Sequence, residues 1–331
     1  MLNKENVLVV TKKSLTDAAD SIRERTGDTD LIRVSDLDNA IDEIPSGGSD
    51  PAEISGNQWV MALLNNPSPA TRYDLFTIPE DVTVLGDYDS SYSKGGALSA
   101  IPAKKFYGKY VTDIKQSMWA ESKYIEELDF PACTRIRSNI AEKCANLRII
   151  NFPLLRNLDN GFAFSDCPQL TVVNLPELTS AGRGLLRNNS GMTQALLPKL
   201  TEIVGGNGGL NNNAALTKLL VPALTRINNQ AMEALPVLVN LSLPVCTKIE
   251  SEMKNNTLLE GLFLPGDTLC TLSKSTFLTG SKIASGQGKI WVNDSLVNDY
   301  KSASNWIQYS SVIDSINNYT GDFNYNEGVT S

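Results

Sequence analysis

Seven prolines, Pro131, Pro153, Pro176, Pro198, Pro222, Pro244 and Pro265, recur at intervals of 22, 23, 22, 24, 22 and 21 residues. Each closes the same phrase: IEELDFP, LRIINFP, LTVVNLP, MTQALLP, LTKLLVP, LVNLSLP and LEGLFLP. The phrase is apolar at its first, fourth and sixth positions. Thr follows at the tenth in six copies (Thr134, Thr179, Thr201, Thr225, Thr247, Thr268), with Arg156 the exception. A repeat in the low twenties specifies a solenoid, because one such coil cannot bury its own apolar side and must stack on its neighbours.

Alternate side chains of a strand point to opposite faces. Leu128, Phe130, Ile150, Phe152, Val173, Leu175, Leu219, Val221, Leu241 and Leu243 are therefore expected inside. Proline cannot donate to a ladder, so the strand stops at it. Coils stacked at the ~4.8 Å strand spacing predict one continuous sheet roughly 30 Å long over seven copies. Two residues beyond each proline, Cys133, Leu155, Leu178, Leu200, Leu224, Cys246 and Asp267 mark a mainly core site. Three residues before the phrases, Cys144, Cys167, Asn189, Asn213 and Asn256 recur, with Leu235 in place of one. These predict an interior ladder in the turn entering each strand, where an amide or thiol satisfies turn backbone groups.

These phrases resemble the BspA-like leucine-rich repeats, which are found on bacterial surfaces and in bacteriophage proteins. FTIPEDVTVLGDY (76–88) is similar to that family's opening repeat, and GFAFSDCPQLTVVNLP (161–176) carries its small-aromatic-Ser-x-Cys step. A degenerate copy lies around LSAIPAKKFYG (98–108). The resemblance covers residues 73 to about 280. It implies a β-rich leucine-rich-repeat solenoid of period about 22–23 residues, with a short N-terminal α-helical module and an α/β C-terminal cap. Ordinary leucine-rich repeats place Asn or Cys just after the strand; here that site is mostly Leu.

The expected organisation has five parts. Residues 1–45 form a helical attachment module, 46–57 a linker, 58–280 the solenoid, 281–316 the cap and 317–331 a loose polar tail. In SLTDAADSIRERT (14–26), Ser14 caps a helix whose face carries Leu15, Ala18, Ala19 and Ile22. A second helix from Ser35 carries Leu37, Ala40, Ile41 and Ile44, and ends at Pro45. Leu15, Ala19, Ile22, Leu37 and Ile41 are the candidate attachment residues. This stretch resembles a short helical module near the N-termini of phage tail and other virion structural proteins; a hairpin that merely caps the solenoid is the alternative. In the cap, Leu296, Val297 and Tyr300 are expected to face the core, with Trp306 as a plug.

Candidate chemistry is sparse. With no histidine in 331 residues, Ser-His-Asp, Cys-His and HExxH chemistry and His-ligated zinc are excluded. A net charge of −8 without a basic run argues against nucleic-acid binding. No apolar run approaches the ~18 residues of a membrane span, and the N-terminus has no signal-peptide pattern. Five widely spaced cysteines without a CxxC predict buried free thiols. GGNGG (205–209) lacks the Lys-Ser/Thr of a phosphate loop and reads as a turn. The pairs Asp28/Asp30, Asp36/Asp38 and Asp87/Asp89 lack EF-hand spacing. Glu126, Glu127 and Asp129 could serve as paired glycosidase carboxylates, but they fall where a strand presents its solvent face. No enzyme activity, cofactor or metal is expected.

A surface is what the repeat offers. Leu196, Leu220 and Phe263 are expected to project outward, and Ile149, Val172, Asn151 and Asn174 complete the candidate binding surface. Two functions fit. The first is a bacteriophage virion structural protein, such as a tail, fibre or other appendage component. It would be a homo-oligomer attached to other virion proteins through residues 1–45, with its solenoid displayed toward a host-surface glycan or protein. The alternative is a bacterial BspA-like surface or intracellular protein-interaction module with no virion role.

Overall fold

Every repeat phrase folds into one coil, but each coil carries two strands rather than one. The computed structural model describes residues 73–325 apart from 86–97, 204–207 and positions 79, 81, 100, 116, 138, 160, 229 and 251. The proposed attachment helices, with Leu15, Ala19, Ile22, Leu37 and Ile41, lie outside the described residues, as do the linker and the three aspartate pairs.

The coils run β1 (Tyr73–Thr77) with β2 (Val84–Leu85), β3 (Ala103–Tyr107) with β4 (Asp113–Ile114), and β5 (Glu127–Asp129) with β6 (Arg135–Ile136). Next come β7 (Ile149–Asn151) with β8 (Asn157–Leu158), β9 (Val172–Asn174) with β10 (Ser180–Ala181), and β11 (Gln194–Leu196) with β12 (Glu202–Ile203). The last are β13 (Lys218–Leu220) with β14 (Arg226–Ile227), β15 (Asn240–Ser242) with β16 (Lys248–Ile249), and β17 (Gly261–Leu264) with β18 (Thr271–Leu272). The pairings among these strands are all parallel, odd strands with odd and even with even. The single expected sheet is therefore two walls, and the odd wall is itself interrupted between β9 and β11 and between β13 and β15.

The recurrent threonine builds the even wall. The Thr134 hydroxyl donates to the Thr112 carbonyl at 3.2 Å, and its backbone N–H reaches the same oxygen at 2.9 Å. Thr201, Thr225, Thr247 and Thr271 repeat this on the threonine of the preceding coil. In the seventh copy the chain takes three extra residues after its proline. Thr271, not Thr268, thus joins the ladder, and Cys270, not Asp267, fills the core site; Thr268 and Asp267 are exposed.

The interior turn ladder forms as expected. Asn189 accepts from the Cys167 N–H at 2.8 Å and donates to the Phe164 carbonyl at 2.9 Å. Asn213 accepts from the Asn189 N–H, and Asn256 from the N–H of Leu235. Cys144 and Cys167 play the donor half, with thiols on the Trp119 and Ala141 carbonyls at 3.0 and 3.1 Å. The residue just before each ladder position is left-handed: Glu121, Lys143, Asp166, Asn188, Asn212, Ala234 and Asn255 all have φ between 53° and 63°.

Between the walls runs one apolar core. At its early end the rings of Phe76, Phe106, Trp119, Phe130, Phe152 and Phe164 contact in series, with centroids 5.1–5.6 Å apart. The expected inward residues are buried except Val173, which is half-buried where the odd wall breaks after β9. All five cysteines are buried and reduced.

The cap closes the other end. β19 (Lys289–Val292) and β20 (Ile313–Ser315) extend the odd wall beyond β17, and the helix α1 (Val297–Ser302) lies between them in the chain. Tyr300 and Trp306 are buried, while Leu296 and Val297 pack partly against the core. The Tyr300 hydroxyl accepts from the Cys270 N–H at 2.8 Å, and the Trp306 indole donates to the Cys270 carbonyl at 2.7 Å. The tail departs from expectation: its described part, up to Tyr325, is packed rather than loose.

Candidate binding face

The outward positions of the odd strands form one face, and the strands set what it displays. Lys105 on β3 bridges Glu127 at 2.6 Å and Asp129 at 2.9 Å on β5. Partial burial works against its charge, but the hydrogen bonds to Glu127 and Asp129 outweigh this and hold its pKa above the usual lysine value. The two carboxylates are thus tied to one ammonium.

From Asp129 a polar ladder climbs the coils. The Asn151 amide donates to Asp129 at 2.7 Å, and the Asn174 amide donates to Asn151 at 2.6 Å. Both candidate asparagines therefore have their amides fixed in direction by the coil below. Asn174 is exposed and Asn151 half-buried.

Apolar side chains lie beside this ladder. Ile149 is the register partner of Val172, and Leu196 is the register partner of Leu220. Val172 is 49% exposed and Leu196 36%, whereas Ile149 and Leu220 are half-buried. The structure thus brings six of the seven candidates onto one face over four successive coils.

Phe263 is the exception. It is 0% exposed because the tail folds back across it. Tyr319, Phe323 and Tyr325 place their ring centroids 4.9, 5.0 and 5.5 Å from it, and Trp291 of β19 lies at 6.3 Å. The Ser242 hydroxyl donates to the Tyr325 carbonyl at 2.8 Å and pins the tail to β15. Three aromatic residues inside an otherwise polar tail were the available signal for this contact.

Beside the described part of the tail, a groove of about 400 Å³ opens between it and β13 and β15. Lys218, Leu220, Asn240 and Ser242 line one side, Phe323 and Tyr325 the other. The groove continues the Leu196–Leu220 strip, and sequence reasoning missed it because one of its walls comes from the tail. Among the described residues no group of three or more His, Cys, Asp or Glu is placed to hold a metal, and no helix is long and apolar enough to cross a membrane.

The repeat family described as BspA type leucine rich repeat region matches residues 99–207 in six copies. With the two-walled parallel coil, this makes the fold a leucine-rich-repeat solenoid. No curated protein matches the chain. Among solved structures, the chain is similar to a leucine rich cell surface protein of Faecalibacterium prausnitzii, at 15% identity over 79% of this chain and 83% of that one, with a TM-score of 0.35. It is also similar to the pneumococcal vaccine antigen PcpA, at 13% identity over 76% of this chain and 80% of that one, with a TM-score of 0.30.

Proposed function

We propose that this BspA-type repeat solenoid is a bacterial surface interaction module that binds a protein partner on its odd-strand face. The carrying observation is two apolar pairs on this face, Ile149 with Val172 beside the Asn151–Asn174 amides and Leu196 with Leu220 continuing the column of those amides, with Val172 and Leu196 exposed among the described residues. Apolar side chains grouped on a rigid wall mark a contact site, and amides of fixed direction give such a site specificity. The repeat-family match supports this role over a virion component, for which the support is the resemblance of residues 14–41 alone.

The test replaces outward residues whose loss leaves the core intact. Val172→Asp with Leu196→Asp should keep the circular dichroism and melting temperature of the parent. The same variant should lose capture of surface-protein ligands in a quantitative pull-down. Equal capture by parent and variant would place the contact elsewhere, and binding to glycan arrays alone would replace the protein partner by a carbohydrate.

A further inference from the structure

We propose that Cys246 and Cys270 are a built disulfide site, which peroxide closes to staple the cap-bearing coil to the coil before it. Their sulfurs lie 3.8 Å apart on adjacent coils, with the Cys270 thiol directed at the Cys246 sulfur. Both occupy the core column that Leu200 and Leu224 fill in the preceding coils. In the register of β16 and β18 Thr271 pairs with Lys248, so Cys270 lies opposite Thr247, one residue along from Cys246. A coil spacing of ~4.8 Å with a one-residue offset of ~3.3 Å separates their α-carbons by roughly 5.8 Å, within the ~4.4–6.8 Å that a disulfide spans.

Cys144 and Cys167 also sit on neighbouring coils. All of these thiols face main-chain carbonyls, but the bonds of Cys144 and Cys167 are short, at 3.0 and 3.1 Å, whereas Cys246 and Cys270 reach the carbonyls of Lys248 and Thr271 only at 3.6 and 3.9 Å. Cys133 has Leu155 at its site on the next coil. Only Cys246, at 5% exposure, offers a path from solvent; Cys270 is fully enclosed beneath Tyr300 and Trp306. Cys246 accepts the Cys270 hydrogen bond and is the thiol of the pair that solvent reaches, so it is the one that peroxide meets first.

The chemistry balances with hydrogen peroxide as oxidant. The Cys246 thiolate attacks one peroxide oxygen, the O–O bond breaks, and the departing hydroxide takes a proton to become water. This leaves a sulfenic acid on Cys246. The Cys270 sulfur then attacks the Cys246 sulfur as the S–O bond breaks, and the second hydroxide leaves as water with the Cys270 proton. Two thiols and one peroxide give one disulfide and two waters. Because the Cys270 backbone holds both Tyr300 and Trp306, the bond fastens the cap as well as the coil.

Titrating the native full-length protein with hydrogen peroxide, alkylating the remaining thiols and mapping peptides tests this directly. The expected product links Cys246 to Cys270, loses two hydrogens, leaves three alkylated cysteines and reverts with dithiothreitol. Its melting temperature should rise by roughly 5 °C or more, a rise that Cys246→Ser does not show. A native protein keeping all five thiols at doses that oxidise its urea-unfolded form would overturn the proposal. A link between Cys144 and Cys167, or sulfinic acid at Cys246 without any link, would do the same. The map of the unsubstituted chain decides the matter even if the serine variant fails to fold.

Discussion

Ala234 is the residue that fits its position least well. Seven successive turns put one residue in the left-handed region, and three of them use Asn while Ala234 alone offers neither a polar side chain nor a missing Cβ. Left-handed backbone costs an L-residue roughly 1–2 kcal/mol, which Asn offsets by local hydrogen bonding and Gly avoids. Asn188 already donates to Asp166, and Asn212 to Asn188, so an Asn at 234 would add the next rung. Ala234→Asn should stabilise the protein by about 1 kcal/mol in chemical denaturation, and Ala234→Gly by somewhat less. The opposite is expected one residue further in, at the buried ladder. Asn213→Leu leaves the Asn189 N–H and the carbonyls of Leu186 and Leu210 without their partner. Burying such groups unpaired costs about 3 kcal/mol, so the urea midpoint should fall, even though Leu235 shows that the column accommodates a leucine side chain. The ladder was legible in the sequence because the same backbone demand returns every coil and only a few side chains meet it. Thr268 misled for the converse reason: counting from Pro265 ignores the three extra residues that hand its role to Thr271.

At the scale of elements, the odd strands were legible and the even strands were not. A phrase such as IEELDFP shows the alternation of a strand, whereas a two-residue strand such as Arg135–Ile136 is too short to show any period. It is held by threonine hydroxyls and main-chain bonds between coils, which leave no hydrophobic pattern. The cap was recognisable through Tyr300 and Trp306, but β20 was not, since its pairing to β19 is non-local. That strand carries the clearest pH dependence expected of the fold. The Asn318 amide, followed by the Ser315 N–H and the Lys289 ammonium, holds the Asp314 carboxyl below its usual pKa against a smaller effect of burial. A depressed folded-state pKa gives stability that is present above the unfolded value of about 3.9 and lost as pH falls through the folded one. Amide exchange in Ile313–Ser315 should therefore quicken below about pH 4 relative to the central coils. Asp314→Asn should remove that pH dependence, and identical profiles for parent and variant would show that this carboxylate does not govern the cap.

For the whole molecule, the tail is the element that makes this solenoid more than a stack of coils. Each coil bonds only to its neighbours, as expected of a quasi-one-dimensional fold. The tail instead returns from beyond β20 to β15, joining Ser242 to Tyr325 across 83 residues of chain. Such a contact has no local signature, which is why Phe263 read as a displayed residue. The tail's ring contacts with the coils fall on the outer side of the odd wall, on Phe263 and Trp291, which are register partners on β17 and β19. None of them enters the core between the walls. Ending the chain after Asn318 should accordingly leave both ladders folded, with an unchanged far-ultraviolet spectrum. It should also uncover an aromatic pair one coil beyond the Leu196–Leu220 strip, across Ser242, and enlarge the apolar surface there. An exposed patch of that kind binds hydrophobic dyes and favours association, so the truncated protein should bind anilinonaphthalene sulfonate more strongly than the parent. Its Trp291 emission should shift to the red. If the shortened chain loses its cooperative melt instead, the tail closes the solenoid as a structural element. If dye binding and emission both stay as in the parent, Phe263 and Trp291 are covered by something other than residues 319–325.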